Sequence, residues 1–431
     1  MFRFSKNAFV KAAERIAPRE GTLQSAGVPT TDDAGAMLKE GVARHVAGDL
    51  DAAERLYRRA AAARPRDANA HNLLGVVARQ RGDARAALRH TGRAIALQPE
   101  APVFLANHGG ALAEAGELPE AVRFLRAALR RRPDDAVALR NLGQALAALG
   151  DPRAALEPLE RAAALAPEAA EPRLALAHAR REAGNAEGAA EAAESALARA
   201  ASDSALAAQA GFLLAALGRA AVPARAPAGY VRDLFDGFAE RFDAELAEKL
   251  DYRTPELLAA ALREVAGAPA GEGAGLDLGC GTGLSGLALA PLVRRLEGLD
   301  LSPRMLALAR RRGVYAALHQ ADLLEWLPAH PGAFDLAAAA DVLNYLGDLA
   351  PALAGIASVL KPGGLAAFSL EAGEGAPFEL GATMRYRHHP GHAEVLAAAA
   401  GFEVVARREA VLRQERGQPV EGVLMVLRRR G

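Results

Sequence analysis

The stretch Asp277-Leu278-Gly279-Cys280-Gly281-Thr282-Gly283 sets glycines at alternate positions after an apolar run and before a helical one. Glycines so spaced let a backbone turn tightly and come within contact distance of a ligand, while the next helix offers free N–H groups. That is equipment for a nucleotide-like ligand. Asp277, at the strand end, places a carboxylate where it takes up the cation of a charged ligand, directly or through water. The next apolar run, Leu296 to Leu299, ends in Asp300, a position from which a carboxylate accepts both hydroxyls of an adenosine ribose. A third ends near Gln320 and leads to Ala321-Asp322, whose carboxylate suits an adenine amino group. A fourth, Phe334 to Ala340, ends in Asp341-Val342-Leu343-Asn344-Tyr345. Gly281, Gly283 and Gly286 also satisfy the dinucleotide pattern G-x-G-x-x-G. A nicotinamide site, however, calls for neither Asp277 nor Asp322, and nothing later offers a hydride-transfer constellation.

Elements must hold these residues in place, and the chain is long enough for several domains. Its 431 residues allow two to four. Lys+Arg and Asp+Glu are both 52, so no global field draws the chain to nucleic acid or to an anionic membrane. Hydrophobic residues make up 51% but aromatics only 5%, an alanine excess that favours long helices. The one cysteine, Cys280, excludes an intrachain disulfide framework and any cysteine-cluster metal site, and a reducing, cytoplasmic compartment fits. No apolar run has the length of a membrane span, and the start does not read as a signal peptide.

The first half is periodic. Gly48, Gly82, Gly116, Gly150, Gly184 and Gly218 recur at a fixed 34-residue interval, as do Gly41, Gly75, Gly109 and Gly143, and Pro65, Pro99, Pro133 and Pro167. The first set ends helices at left-handed residues and puts an acid near the start of the next helix. The second lets two helices approach closely, and the prolines end the second helix of each pair. This resembles the tetratricopeptide repeat, with Tyr57 in the aromatic slot that Thr91, Leu125 and Leu159 fill otherwise. Five repeats over 34–203 and a capping helix at 204–218 are expected, after a poorly ordered segment 1–33. Stacked repeats usually hold an extended protein or peptide on their concave face. Asn72, Asn107, Arg140 and Asn141 are the candidates there, although Asn before Leu-Gly also serves simply to tie neighbouring repeats together.

A proline-bearing stretch, 219–229, reads as a semi-stiff linker. Beyond it, short apolar runs alternate with helical ones, the pattern of an α/β domain with a mostly parallel sheet. The glycine loop, the ordered strand-end acids and the turn Leu360-Lys361-Pro362-Gly363-Gly364 together resemble the class I S-adenosylmethionine-dependent methyltransferases over 272–431. The resemblance implies a Rossmann-like, seven-stranded sheet whose last two strands, near Phe402 to Val411 and Glu421 to Arg428, form an antiparallel pair. It implies S-adenosyl-L-methionine as cofactor, held by Asp277, Gly279, Cys280, Gly281, Gly283, Asp300, Leu301, Ala321, Asp322 and Leu323. The segment 230–271, with Phe235-Asp236-Gly237-Phe238 to Asp243 and Leu250-Asp251-Tyr252, looks like the lid of bacterial methyltransferases that carry such repeats. Phe235, Phe238 and Phe242 at helical spacing would supply an apolar underside, or merely a buried stripe.

Methyl transfer from a sulfonium is an in-line displacement with a neutral leaving group, so the protein mainly positions and desolvates the nucleophile. Asp341, Tyr345 and His388 are the candidate catalytic residues, His388 as a proton acceptor near neutral pH. The neighbouring Arg385, Tyr386, Arg387 and His389 equally suit a solvated basic loop. Asn344-Tyr345 departs from the Asn-Pro-Pro-Tyr motif, which disfavours methylation of nucleic-acid bases and amides. Cys280 reads as packing, and His388, His389 and His392 lack the carboxylates of a metal site. The expected function is methyl transfer to an unidentified acceptor, with the repeats binding protein or peptide. The alternative is a non-catalytic scaffold that binds cofactor.

Overall fold

The computed structural model describes residues 31–249, 252–266, 271–415 and 417–431, so the expected N-terminal segment lies almost wholly outside the described residues, as do Leu250 and Asp251. The chain divides into two compact units, which part between Ser202 and Asp203.

The first unit stacks helices in consecutive pairs: α1 (Thr31–Ala47) with α2 (Leu50–Ala63), α3 (Ala68–Gln80) with α4 (Ala84–Leu97), α5 (Pro102–Glu114) with α6 (Leu118–Arg131), α7 (Ala136–Ala148) with α8 (Pro152–Leu165), and α9 (Ala170–Glu182) with α10 (Ala186–Leu197). The periodic glycines explain the pairing. A Cβ on Gly41, Gly75, Gly109 or Gly143 would lie 2.5, 2.5, 2.7 or 2.4 Å from Tyr57, Thr91, Leu125 or Leu159. The bare backbone of each first helix thus receives the side chain in the aromatic slot of its partner, whatever that side chain is. Gly48, Gly82, Gly116, Gly150 and Gly184 all have positive φ. Asp49, Asp83, Asp151 and Asn185 then cap the following helices by accepting from the N–H groups of Ala52, Ala86, Ala154 and Gly188, while Glu117 makes no such bond.

The asparagines in this unit are engaged with protein. Asn107 Nδ2 donates to Asn72 Oδ1 at 2.9 Å, one repeat away, and Arg140 Nη2 donates to Asn141 Oδ1 at 3.3 Å. Arg79 forms a bidentate pair with Glu114, also one repeat away, through Nη2–Oε1 at 2.7 Å and Nε–Oε2 at 3.1 Å. The Asn72–Asn107 amides tie two repeats together, whereas the Arg140–Asn141 bond lies within one helix.

The second unit begins with α11 (Ala205–Ala216), the helix expected as a cap on the repeats; within this unit its Phe212 ring lies 5.3 Å from Tyr230 and 6.2 Å from Tyr386. Helices α12 (Ala228–Lys249) and α13 (Thr254–Ala266) precede the sheet. Then follow β1 (Ala274–Leu278), α14 (Leu284–Leu289), β2 (Arg295–Asp300), α15 (Pro303–Arg312), β3 (Ala317–Gln320), α16 (Leu323–Trp326), β4 (Phe334–Ala339), α17 (Ala350–Val359), β5 (Leu360–Glu371), β6 (Phe378–Leu380), β7 (Tyr386–His388), α18 (Pro390–Ala399), β8 (Phe402–Glu415) and β9 (Gln418–Arg429). The seven-stranded sheet runs β3-β2-β1-β4-β5-β9-β8, parallel through β5 and antiparallel at β9 and β8. Alternation along β4 sends Ala337 and Ala339 into one apolar layer, with Leu353 and Ile356, and Leu336 and Ala338 into the other, with Leu258 and Leu262.

Two local expectations change. The basic stretch read as a loop, Arg385 to His389, contains β7, which pairs antiparallel with β6 as a separate ribbon. The Lys-Pro-Gly-Gly turn lies inside β5, whose pairing with β4 shifts register between Leu360 and Leu365. Lys361 Nζ there reaches both oxygens of Asp335 at 2.9 Å.

Candidate functional site

Sheet order places β1 between β2 and β4, so connections leave in opposite directions from the two sides of β1 and open a crevice at its carboxyl end. The glycine turn fills the position after β1. Gly279, Gly281 and Gly283 have φ of 62°, 53° and 92°, a left-handed backbone that side chains resist. A Cβ on Gly279 would also strike Val342 Cγ2 at 2.4 Å. Gly286, the third member of the dinucleotide-like pattern, has another role: a Cβ there would meet the Tyr315 hydroxyl at 2.2 Å. That space lets Tyr315 reach Asp277.

Asp277 is fully buried. Its Oδ2 accepts from Ser285 Oγ and Tyr315 OH, both at 2.6 Å, while its Oδ1 has no hydrogen-bond partner. Burial pushes its carboxyl up to about 7 against the pull of those two hydroxyls. Asp300, at the end of β2, accepts from the Gly281 N–H at 2.9 Å and the Ser302 N–H at 2.8 Å; burial raises it to about 6. Asp322 caps α16 through the Leu324 N–H at 2.9 Å and is ion-paired with Arg225.

One cleft gathers Gly279, Cys280, Gly281, Asp300, Leu301, Ala321, Asp322, Leu323, Asp341 and Tyr345 along its walls. Helix α12 closes one side, where Phe235 and Phe242 line the cleft, their rings 6.0 Å apart, and Phe235 meets Tyr345 edge-on at 5.6 Å. Phe238 is not part of that wall; it is exposed under the Arg241 guanidinium. Two aspartates of α12 bind the helix to the glycine side. Asp236 accepts from Ser302 Oγ at 2.6 Å, and Asp243 from Thr282 Oγ1 and Arg312. The stretch read as a linker is also fastened here. Ala226 N donates to Tyr345 O at 2.9 Å, Gly347 N to Ala224 O at 2.8 Å, and Tyr386 OH to Pro223 O at 2.7 Å.

The opposite end of the cleft is ionic. Asp341, with φ of 55°, accepts from Ser369 Oγ at 2.9 Å and from Arg413 Nη1 at 3.1 Å. Arg413 also donates to Glu371 and, at 2.8 Å, to Glu415; Arg385 bridges the same two glutamates. Burial raises the Asp341 carboxyl and Arg413 opposes it. Burial likewise pushes the Tyr252 and Tyr345 phenols up. Asn344, also in the wall, donates from Nδ2 to Glu371 at 3.4 Å and keeps Oδ1 without a partner.

Comparison with known proteins places these features. Residues 276–368 match the model of a methyltransferase domain, and 38–102, 102–168 and 140–205 match tetratricopeptide repeat models. The chain joins tetratricopeptide repeats to a methyltransferase domain. It is 37% identical over 79 residues to the ubiquinone biosynthesis O-methyltransferase of Sodalis glossinidius (strain morsitans), a match covering 17% of this chain. It spans about a third of the length of that curated relative, 32%. Among solved structures, the 1,6-didemethyltoxoflavin-N1-methyltransferase of Burkholderia thailandensis, with 1,6-didemethyltoxoflavin and S-adenosylhomocysteine bound, is 21% identical with a TM-score of 0.39, over 49% of this chain and 93% of that one. The N-methyltransferase NodS of Bradyrhizobium japonicum WM9, in complex with S-adenosylhomocysteine, is 22% identical with a TM-score of 0.34, over 44% and 97%.

Within the methyltransferase domain, the residues read from sequence part company. Asp277 is buried on Ser285 and Tyr315 and is not among the cleft-lining residues. His388 is buried as well: its Nε2 donates to Leu346 O at 2.8 Å and Gly347 O at 3.2 Å, and burial lowers its basicity. It holds the backbone behind Tyr345 and does not line the cleft, because β7 turns it inward. Cys280 packs with Leu306 and Ala309, and burial pushes its thiol up. Among the described residues no helix is long and apolar enough to cross a membrane, and no cluster of His, Cys, Asp and Glu could hold a metal ion. Sequence reading missed Arg225, Ser285, Tyr315, Glu371, Arg413 and Glu415. Only Asp236 and Asp243 carried a usable signal, each following a cleft-facing Phe by one residue at the same helical spacing.

Proposed function

We propose that the methyltransferase domain uses S-adenosyl-L-methionine, and that the repeats present a protein or peptide or serve assembly. The observation that carries the cofactor reading is Asp300. It is a carboxylate beside the glycine turn, lining the cleft, and burial raises it to about 6. Such a group gains when two hydroxyl donors or a positive charge arrive, as a ribose and a sulfonium would supply. Asp277, buried behind the turn, braces it through Ser285 and Tyr315.

In this reading Asp300 binds the ribose, Asp322 serves the adenine with the lone pairs that Leu324 and Arg225 leave, and the turn at Gly281 gives close backbone approach. When bound, the cofactor supplies an electrophilic methyl group. Phe235, Phe242 and Tyr345 exclude water from it, α12 acts as a lid over it, and the Asp341 carboxylate takes up a proton at the acceptor end. Titration calorimetry with S-adenosylhomocysteine tests the assignment. Micromolar binding by the full chain, lost in Asp300→Ala, is expected; absence of heat with the unaltered protein overturns it.

A further inference from the structure

The acceptor end of the cleft restricts what is methylated there, an argument that rests on the cofactor reading above. Three carboxylates, Asp341, Glu371 and Glu415, face two guanidiniums, Arg385 and Arg413. Arg413 faces Asp341 through Nη1, Glu371 through Nη2 and Glu415 through Nε, so its charge is already matched by carboxylates on three sides. Arg225, the other guanidinium in the wall, is paired with Asp322. The cleft therefore presents arginines without presenting net positive charge. An acceptor bearing a carboxylate or phosphate near the reacting atom would meet carboxylates with no free cation to offset them.

Asn344 points to the complementary chemistry. It is only 2% exposed and lines the cleft. Glu371 can only accept, so the amide must turn Nδ2 toward it, and this leaves Oδ1 facing away as a bare acceptor. A buried carbonyl oxygen without a partner is unfavourable unless a ligand donates to it. The same cleft is lined by the aromatic rings of Tyr345, Phe235 and Phe242, with Phe235 edge-on to Tyr345.

We infer that the methyl acceptor is an amine on an apolar or aromatic carrier, its nitrogen donating to Asn344 Oδ1, and that acidic acceptors are rejected. The nitrogen lone pair forms the bond to the methyl carbon, and the carbon–sulfur pair stays on the departing neutral thioether. The proton then released from nitrogen goes to the Asp341 carboxylate.

The full chain saturated with S-adenosylhomocysteine is titrated with benzylamine, benzyl alcohol and benzoate, read by calorimetry and by ligand-observed NMR. Benzylamine is expected to bind at least tenfold more tightly than either of the others. Asn344→Leu is expected to weaken benzylamine about tenfold with S-adenosylhomocysteine affinity unchanged. Nα-acetyl-lysine methylamide serves as a second amine: if it outranks benzylamine the amine belongs to a polypeptide, and if it ranks below, to a small molecule. Equal or tighter binding of benzoate or benzyl alcohol, or no binding of either amine to the saturated protein, overturns the inference. The ranking in the unaltered protein decides even if the variant fails to fold. Loss of S-adenosylhomocysteine binding itself would sink the cofactor reading instead, so the two failures are separable.

Discussion

The repeats and the methyltransferase domain solve the problem of placing polar side chains in opposite ways. In the repeats the ties recur at one period: Asn107 to Asn72 and Arg79 to Glu114 each span 35 positions, and each bare glycine meets the partner at a constant offset. In the cleft the ties are singular and distant. Arg413 to Asp341 spans 72 positions, Arg225 to Asp322 spans 97, and Asp236 to Ser302 spans 66. Repetition lets stability build up repeat by repeat, whereas a cleft assembled once fails or holds as a whole.

Four measurements test that contrast. The largest concerns pH. Asp277, raised to about 7, and Asp300, raised to about 6, hold protons in the folded state that an unfolded chain has released by about pH 5. Folding thus takes up protons in that window, and stability falls as pH rises from 5 to 7, levelling above. Without ligand, hydrogen exchange should report loss of protection in β1 and β2 across that range by up to a few kcal/mol, and Asp277→Asn should flatten the curve. Gain of protection there would contradict the buried-carboxyl account.

Next, Asp300→Ala should lower S-adenosylhomocysteine affinity at least a hundredfold, about 2.7 kcal/mol. Exchange in α1 to α10 should stay unmoved; a change there would deny the independence of the two regions. Gly143→Ala drives a methyl into Leu159 Cγ and the Ala155 carbonyl, and should cost about 1–3 kcal/mol of protection in α7 and α8. Cofactor affinity is expected to remain as it was. The smallest effect belongs to Gly150→Ala, which meets open space but keeps φ at 88°, and so should cost only about 1 kcal/mol through the backbone. A larger loss than at Gly143 would show that the helix turn, not the close approach, dominates the pairing.

What could be read from sequence follows the same divide. The period in the repeats and the acid at the end of each parallel strand are local signals, so both folds and most of the cleft wall were accessible. Arg413 was not, because within β8 it looks like one more arginine on an outer strand. Its significance depends on Asp341 and Glu371, which come from other parts of the chain. His388 misled for the converse reason: a histidine in a basic stretch suggests solvent and catalysis, but pairing of β7 with β6 commits it to two carbonyls. Phe238 shares the helical spacing of Phe235 and Phe242, yet spacing alone could not tell which of the three face the cleft.

The fastening of residues 223–226 bears on how this polypeptide can be divided. Cutting in the proline-bearing stretch, the obvious place by composition, would strip Pro223 from the Tyr386 hydroxyl, Ala224 and Ala226 from the turn after β4, and Arg225 from Asp322. A methyltransferase-domain fragment starting at Tyr230 would carry a wounded wall. Anyone transplanting the domain onto other repeats, or evolution recombining the two, has to make the join ahead of α11.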